Sequence, residues 1–245
     1  MKHWSCCFAL LLAACNASPD GGSLRQSGDE AATPDAAQDT DRAGDLLSEL
    51  LEPSQSGPFA PRDECSGVPG AAEFRRGLAA AVLDRDADAM AALALPEVKL
   101  GFGGDDGRER FRERLRDDND GLMDELARLL QLGCAVNSQG GLTMPWYFAQ
   151  EFGDIDAYGA ALVAGENVPM LGKPDAQSTP VESLSWELVE LTDGLDPAQD
   201  FTRVRLRDGR TGYLPSGILR SLLDYRLLAV REGEDWRISA ILAGD

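Results

Sequence analysis

RLRDGRTGYLPSGIL, residues 205–219, carries the strongest fold signal in the chain. Asp208-Gly209 is a tight-turn pair, because both central positions of such a turn favour positive φ. Gly212 follows and lacks a side chain beside Tyr213, so that another backbone or a ligand can approach closely. The stretch therefore predicts a β-hairpin that presents Tyr213 next to a glycine, followed by a short helical turn at PSGIL.

The strand before this turn alternates between apolar and basic residues. In FTRVRLR, Val204 and Leu206 point to one face of the predicted strand. The opposite face and the residue after the turn carry Arg203, Arg205, Arg207 and Arg210. Guanidinium groups bind carboxylates bidentately, so these arginines are candidate ligand contacts. The alternative is a solvated sheet face that binds nothing.

Short strands separated by turn signals surround the hairpin, among them ENVPML and VESLSWELVEL. Together with DGRTGYL, they resemble the bacterial SH3-like domain, whose pattern ends in a D-G-x-x-G-Y-V hairpin. The resemblance covers about 60 residues, Val163 to Leu222, and departs from the family at VPMLGKPD, which lacks the usual arginine and G-P-S step. It implies a small β-barrel that binds cell-wall peptide or an envelope protein. Tyr213 and Trp186 are then candidate ligand contacts, although Tyr213 could instead fill the end of the barrel.

Residues before the barrel show helical periodicity. Phe74, Leu78 and Val82 recur every fourth residue, and GRERFRERLRDD and DGLMDELARLLQLG predict two more amphipathic helices. MPWYFAQEF and YGAALVAG are apolar enough for buried strands. This half, with the ending GEDWRISAILAGD, looks similar to the cystatin-like cone of nuclear transport factor two relatives, which implies that the barrel is inserted into the first domain. The alternative is a helical domain followed by a barrel with an extra hairpin.

The N-terminus MKHWSCCFALLLAAC predicts a secretory signal, since its apolar run is too short to cross a bilayer. LAAC resembles the lipobox of bacterial lipoproteins, which implies acylation of Cys15 and a membrane lipid anchor. Asn16 then favours the outer membrane, facing the periplasm. The alternative is an ordinary secretory signal with an incidental cysteine. Residues that follow are too polar to form a core and predict a disordered tether.

Cleavage of that signal would leave Cys65 and Cys134 as the free thiols. An oxidising compartment favours a disulfide between them, worth about 4 kcal/mol through loop closure. Two buried thiols or a redox pair are the alternatives.

The helical first half and the strands of the second half together predict the α+β fold class. The predicted parts are a signal peptide at 1–14, a tether at 15–64, a disulfide-bearing helical or α+β domain at 65–160, an SH3-like barrel at 161–222 and a C-terminal β-hairpin at 223–245.

Composition excludes several functions. The chain has one histidine, His3, which the predicted cleavage removes, so histidine-based catalysis and most transition-metal sites are not expected. A net charge of −19 at pH 7 disfavours binding to nucleic acid. We predict no cofactor and no metal: the acids Asp84, Asp86 and Asp88 are better explained by helix capping than by calcium.

The sequence thus predicts an outer-membrane lipoprotein that binds cell-wall peptide or an envelope protein and is not an enzyme. Two other functions stay open. Glu151, Asp154 and Asp156 could serve as carboxylates for glycan cleavage or small-molecule chemistry. The protein could also be purely structural, with a barrel that only packs against the first domain.

Overall fold

The computed structural model describes residues 56–117 and 119–244, together with the helical residues Arg42 and Asp45. These residues belong to one compact unit that spans residues 36–245. From Ser56 onward, the described residues form four α-helices and two β-sheets. This part of the chain is an α+β structure, as the sequence predicts.

Several predicted features lie outside the described residues: the signal peptide, the acylation site Cys15 and most of the tether. Among the helices that the structure does describe, none is both long enough and apolar enough to cross a bilayer.

The first sheet is covered by helices. The helices are α1 (Ala71–Leu83), α2 (Ala87–Ala92), α3 (Arg108–Arg116) and α4 (Leu122–Gln131). The strands are β1 (Ala94–Lys99), β2 (Ala135–Val136), β3 (Leu142–Met144), β11 (Arg226–Glu232) and β12 (Asp235–Leu242), in the order β1-β12-β11-β3-β2. One apolar core joins both layers and includes Leu78, Met90, Phe111, Leu126 and Ile238.

The start of α2 explains its acidic run. The Asp86 carboxylate accepts hydrogen bonds from the backbone N–H groups of Asp88 and Ala89, as a capping residue does. The helix ends at Ala92, and the chain then enters β1. Since β1 is an edge strand that pairs only with β12, the missing N–H of Pro96 need not interrupt a ladder.

The second sheet is antiparallel and lies in sequence between β3 and β11. Its strands are β4 (Ala160–Val163), β5 (Val168–Leu171), β6 (Pro180–Leu184), β7 (Leu188–Leu191), β8 (Phe201–Arg205), β9 (Thr211–Pro215) and β10 (Leu219–Ser221), in the order β10-β4-β7-β8-β9-β5-β6. All seven strands contribute side chains to one core, including Ala161, Met170, Leu184, Val189, Val204, Leu214 and Leu219. The sheet therefore curls around its own interior, and the final hairpin β11–β12 returns to the first sheet.

The prediction of a barrel is wrong, because the described strands do not close. The edge strands β10 and β6 each pair with a single neighbour, β4 and β5 respectively. Arg220 on β10 is instead engaged with helix α4, through Glu125. VESLSWELVEL, predicted as one strand, is instead broken into β6 and β7, and Trp186 between them has a φ of 49°.

The hairpin predicted from Asp208-Gly209 is present, but its turn differs. Leu206 and Arg210 close a three-residue loop through Leu206 N–H to Arg210 C=O at 2.8 Å. Only Gly209 in the loop has positive φ, at 87°, and the Asp208 carboxylate accepts from Arg210 N–H. This is a type I turn with a glycine bulge, in which the aspartate stabilises the turn by its side chain.

Gly212 has a packing role. A Cβ at this position would lie 2.6 Å from Cγ of Met170 and 2.9 Å from the carbonyl oxygen of Leu171. Strand β5 therefore occupies the space that the missing side chain leaves, rather than a ligand.

Two further predictions need correction. MPWYFAQEF is not a strand: β3 ends at Met144, and residues Trp146–Ala149 form a 3-10 turn after Pro145. The tether is shorter than predicted, since residues 56–64 pack on the folded part. Phe59 N–H donates to the carbonyl of Trp186, and Asp63 pairs with the buried Arg75 at 2.7 Å.

The cysteine pair lies beside this N-terminal segment. The sulfur atoms of Cys65 and Cys134 are 1.94 Å apart, at disulfide distance, and both residues are fully buried. Backbone hydrogen bonds join the same segments, from Glu64 N–H to Cys134 C=O and from Cys134 N–H to Arg62 C=O. Gly133 allows this approach, because a Cβ there would lie 2.2 Å from the Arg62 oxygen.

Candidate ligand-binding clefts

One cleft lies between β6 and the β8–β9 hairpin, and we call it the hairpin cleft. Its volume is about 710 Å³. Buried Leu184, Leu188 and Leu206 line it. Polar and rim residues are Pro58, Phe59, Glu182, Ser183, Glu187, Arg207, Asp208 and Arg210. The cleft thus combines apolar lining with charges of both signs.

Arg210 is neutralised within this cleft. It forms ion pairs with Glu182 on β6 and, at 2.7 Å, with Asp208 of its own turn. The hydrogen bond from Arg210 lowers the pKa of the Glu182 carboxyl, and the backbone N–H of Arg210 lowers that of Asp208. Arg210, which the sequence suggests as a ligand contact, is therefore already paired with acids of the same chain.

Two charges in the hairpin cleft remain unpaired among the described residues. Arg207 is exposed at the turn and has no acidic partner, and the half-buried Glu187 has no basic one. The cleft accordingly offers one free guanidinium and one free carboxylate beside apolar side chains.

The structure separates the other arginines from this cleft. Arg205 forms an exposed ion pair with Glu190 at 3.4 Å. Arg203 lies opposite the half-buried Tyr213 across the β8–β9 ladder. Arg203 and Tyr213 line a smaller cleft of about 190 Å³, together with Asp193, Gly194, Asp196, Gln199, Phe201 and Thr202. The predicted basic face is therefore divided, and Tyr213 lines a cleft with Arg203, Asp193 and Asp196 rather than with Arg207.

Trp186 is a core residue. It is 6% exposed and packs with Phe59, Trp146 and Tyr147 in an apolar cluster between the two sheets. Its indole Nε1 has no hydrogen-bond partner in the described part of the chain. Trp186 also lines a third cleft of about 480 Å³, which we call the junction cleft.

The junction cleft contains a charge network that the sequence analysis missed. Buried Arg220 on β10 donates to the Tyr147 hydroxyl at 2.9 Å and to the Tyr225 carbonyl at 2.9 Å. It also pairs with Glu125 on α4 at 2.7 Å and with Asp224 at 3.3 Å. The sequence does contain a signal for this network, because Arg220 stands alone in the apolar run ILRSLL. An arginine that is buried with such a run requires charged or polar partners.

Burial and charged partners both shift pKa values in this network. Burial raises the pKa of the Tyr147 hydroxyl to about 12, against the opposing effect of Arg220. Burial alone would lower the pKa of Arg220, but Tyr147, Asp224 and Glu125 together raise it. The guanidinium therefore stays charged at neutral pH while the phenol stays protonated.

We expect this tyrosine to destabilise the fold at alkaline pH. Its folded pKa lies above the unfolded value of about 10, so its stabilisation is complete below that pH and is lost as pH rises towards 12. The free energy of unfolding should fall by on the order of 1 kcal/mol between about pH 10 and 11, measured by urea titration. Tyr147→Phe should abolish this added loss, whereas Tyr158→Phe, at an exposed residue, should retain it. An unchanged pH profile for Tyr147→Phe would refute the assignment.

The acids proposed for catalysis lie on the segment between the two sheets. Asp156 accepts a hydrogen bond from Tyr158 N–H and caps a 3-10 turn, and Glu151 and Asp154 are exposed. None of the three lines the hairpin cleft or the junction cleft. In the part of the chain that the structure describes, no group of His, Cys, Asp and Glu side chains is arranged to hold a metal ion.

Comparison of the chain with protein-family models, with curated proteins and with solved structures finds no match.

Proposed function

We propose that this protein is a recognition module of the cell envelope, which binds a peptide or protein segment in the hairpin cleft. The observation that carries the proposal is the pair of unpaired charges, Arg207 and Glu187, beside the buried Leu184, Leu188 and Leu206. Peptides of the cell wall carry free carboxylates and free amines beside small apolar side chains. Such a ligand matches the cleft in charge and in chemistry.

The size of the cleft supports the same function. A volume of about 710 Å³ falls within the range in which proteins bind small ligands, and it accommodates a few residues of peptide. Arg207 would bind a ligand carboxylate through two parallel N–H···O bonds. Glu187 would accept from a ligand amine, and the leucines would contact the apolar part.

The finer fold and the location are part of the proposal. We infer that the seven-stranded sheet is an open relative of SH3-like domains, on the basis of the DGRTGYL hairpin and its flanking strands. The helical layer with the first sheet would be a cystatin-like domain. Acylation of Cys15 would anchor the chain to the outer membrane, and the polar tether would let the folded part reach the cell wall from the periplasmic side.

A pull-down of the protein with isolated cell-wall sacculi tests this function. We expect the protein to sediment with sacculi. Arg207→Gln and Glu187→Gln should each weaken binding about tenfold, because each removes one charge-assisted contact. The half-buried or exposed position of both side chains means that neither change should unfold the protein.

Arg203→Gln is the matched control. It removes the same charge from the same β8–β9 region but outside the hairpin cleft, so binding should persist. Equal losses for Arg203→Gln and Arg207→Gln would indicate general electrostatic attraction. That result, or no sedimentation of the unchanged protein, would contradict the proposal.

A further inference from the structure

The hairpin cleft adjoins an aromatic surface on the segment that joins the two sheets. Phe59 lines the cleft, and its ring centroid lies 5.9 Å from that of Phe152. Both side chains are half-buried, so part of each remains open to solvent. We call these two rings the aromatic platform. A ligand that leaves the cleft past Phe59 therefore meets Phe152 next.

Buried neighbours hold the aromatic platform in place. The ring of Phe152 also packs on that of Tyr147, with centroids 6.5 Å apart, and Tyr147 is 1% exposed. The Tyr147 hydroxyl accepts from Arg220 at 2.9 Å. Phe59 is fixed through its backbone, whose N–H donates to the Trp186 carbonyl at 3.0 Å. A ligand that stacks on the platform therefore need not order these rings, which favours binding.

Unpaired acids stand beside Phe152 in the sequence. Glu151 directly precedes it and Asp154 follows two positions later, and both side chains are exposed. Neither carboxylate has an ion-pair or hydrogen-bond partner among the described residues. Ionised carboxylates act only as acceptors, and hydroxyl groups are suitable donors to them. This part of the segment thus offers aromatic surface together with free acceptors.

Such a surface suits an uncharged ring that carries hydroxyl groups. The C–H face of a sugar ring stacks on an aromatic side chain, and its hydroxyl groups donate to carboxylates. Stem peptides of the cell wall are joined at one end to an amino sugar of the glycan chain. We infer that the aromatic platform binds this sugar while the hairpin cleft binds the peptide. The ligand is then a glycan-linked peptide, an inference that rests on the proposed function because it extends the ligand of the same cleft.

Calorimetric titration of the full-length protein with three probes tests the inference. The probes are a soluble muropeptide, the same stem peptide without its sugars, and that peptide with a lysine in place of the sugars. We expect the muropeptide to bind about tenfold more tightly than the stem peptide, through added stacking and hydrogen bonds. The lysine peptide should lack this gain. An equal gain from lysine would show that the platform binds a cation, which would overturn the inference.

Variants decide whether the named residues are responsible. Phe152→Leu should remove most of the tenfold difference, because leucine keeps an apolar side chain in the packing but offers no ring for stacking. Phe148→Leu is the matched control, since Phe148 is a half-buried ring of the same segment whose described ring neighbour is Tyr147, at 5.1 Å. The difference should persist in this control.

An exposed variant covers the case in which Phe152→Leu fails to fold. Glu151→Ala should weaken muropeptide binding about threefold through the loss of a hydrogen-bond acceptor. Glu97→Ala, at an exposed acid of β1, should not weaken it.

The outcomes separate the two claims. Binding of neither the stem peptide nor the muropeptide would contradict both the proposed function and the inference. Equal binding of the two would overturn the inference alone and leave the peptide site in place. A tenfold difference that survives both Phe152→Leu and Glu151→Ala, or that Phe148→Leu removes equally, would also overturn it.

Discussion

Arg220→Met is expected to lower the free energy of unfolding by about 3 to 5 kcal/mol, measured by urea titration. The guanidinium is 8% exposed and bonds to Glu125, Tyr147, Tyr225 and Asp224. Removing it leaves the Glu125 carboxylate buried with Arg128 as its one remaining partner among the described residues, and leaves the Tyr225 carbonyl without this donor. The loss is large because desolvated polar groups remain in place after their partner has gone.

Two further variants make this prediction specific. Adding Glu125→Leu to Arg220→Met should recover part of the lost stability, because the second change removes the stranded carboxylate. Arg203→Met, at an exposed arginine that pairs with no acid among the described residues, should change the free energy by less than about 0.5 kcal/mol. A loss below about 1 kcal/mol for Arg220→Met, or additive losses in the double variant, would contradict a stabilising role of the contact between Arg220 and Glu125.

Loss of the disulfide is the second large effect. Changing Cys65 and Cys134 together to alanine should lower the free energy of unfolding by about 4 kcal/mol, because the bond closes a loop between cysteines 69 positions apart. Both residues are fully buried at the point where the N-terminal segment reaches the end of α4. The bond therefore holds residues 56–64, and with them one wall of the hairpin cleft, on the folded part.

Reduction separates the bond from the mutations. Unfolding the unchanged protein with and without dithiothreitol should give the same difference in free energy as the double alanine variant, apart from the small loss of packing. Mass measurement before and after reduction should differ by two hydrogens. An equal mass, or equal stability under both conditions, would be incompatible with the bond.

The hairpin was predictable because its signals are local. Alternation of Val204 and Leu206 with arginines sets the face of β8, and Asp208-Gly209 sets the turn. The turn type was not predictable from that pair, since an Asp-Gly turn can place either both residues or only the glycine at positive φ. Gly212 was correctly singled out, but the sequence could not say whether β5 or a ligand approaches it.

Features set by distant contacts were missed. Trp186 lies in VESLSWELVEL, which predicts one strand, yet it falls in the break between β6 and β7, has a positive φ and packs in a cluster with Phe59 and Trp146. The closed barrel was predicted by analogy with a family, whereas β10 is engaged with α4 through Arg220. Such outcomes depend on tertiary packing that overrides local preference.

The candidate site was predictable only in part. Four arginines were nominated as one face, but Glu190 pairs with Arg205, and Glu182 and Asp208 pair with Arg210. Which cations remain free depends on which acids the fold brings near them, and spacing along the chain carries no such information. Glu187 was not considered for the same reason.

Recognition of cell-wall peptide by the hairpin cleft can be tested by amide chemical-shift mapping with soluble muropeptides. We expect saturable shifts that cluster at Leu184, Glu187, Leu206 and Arg207 and that disappear in Arg207→Gln. Shifts that are absent, or that survive this substitution and cluster elsewhere on the fold, would contradict it.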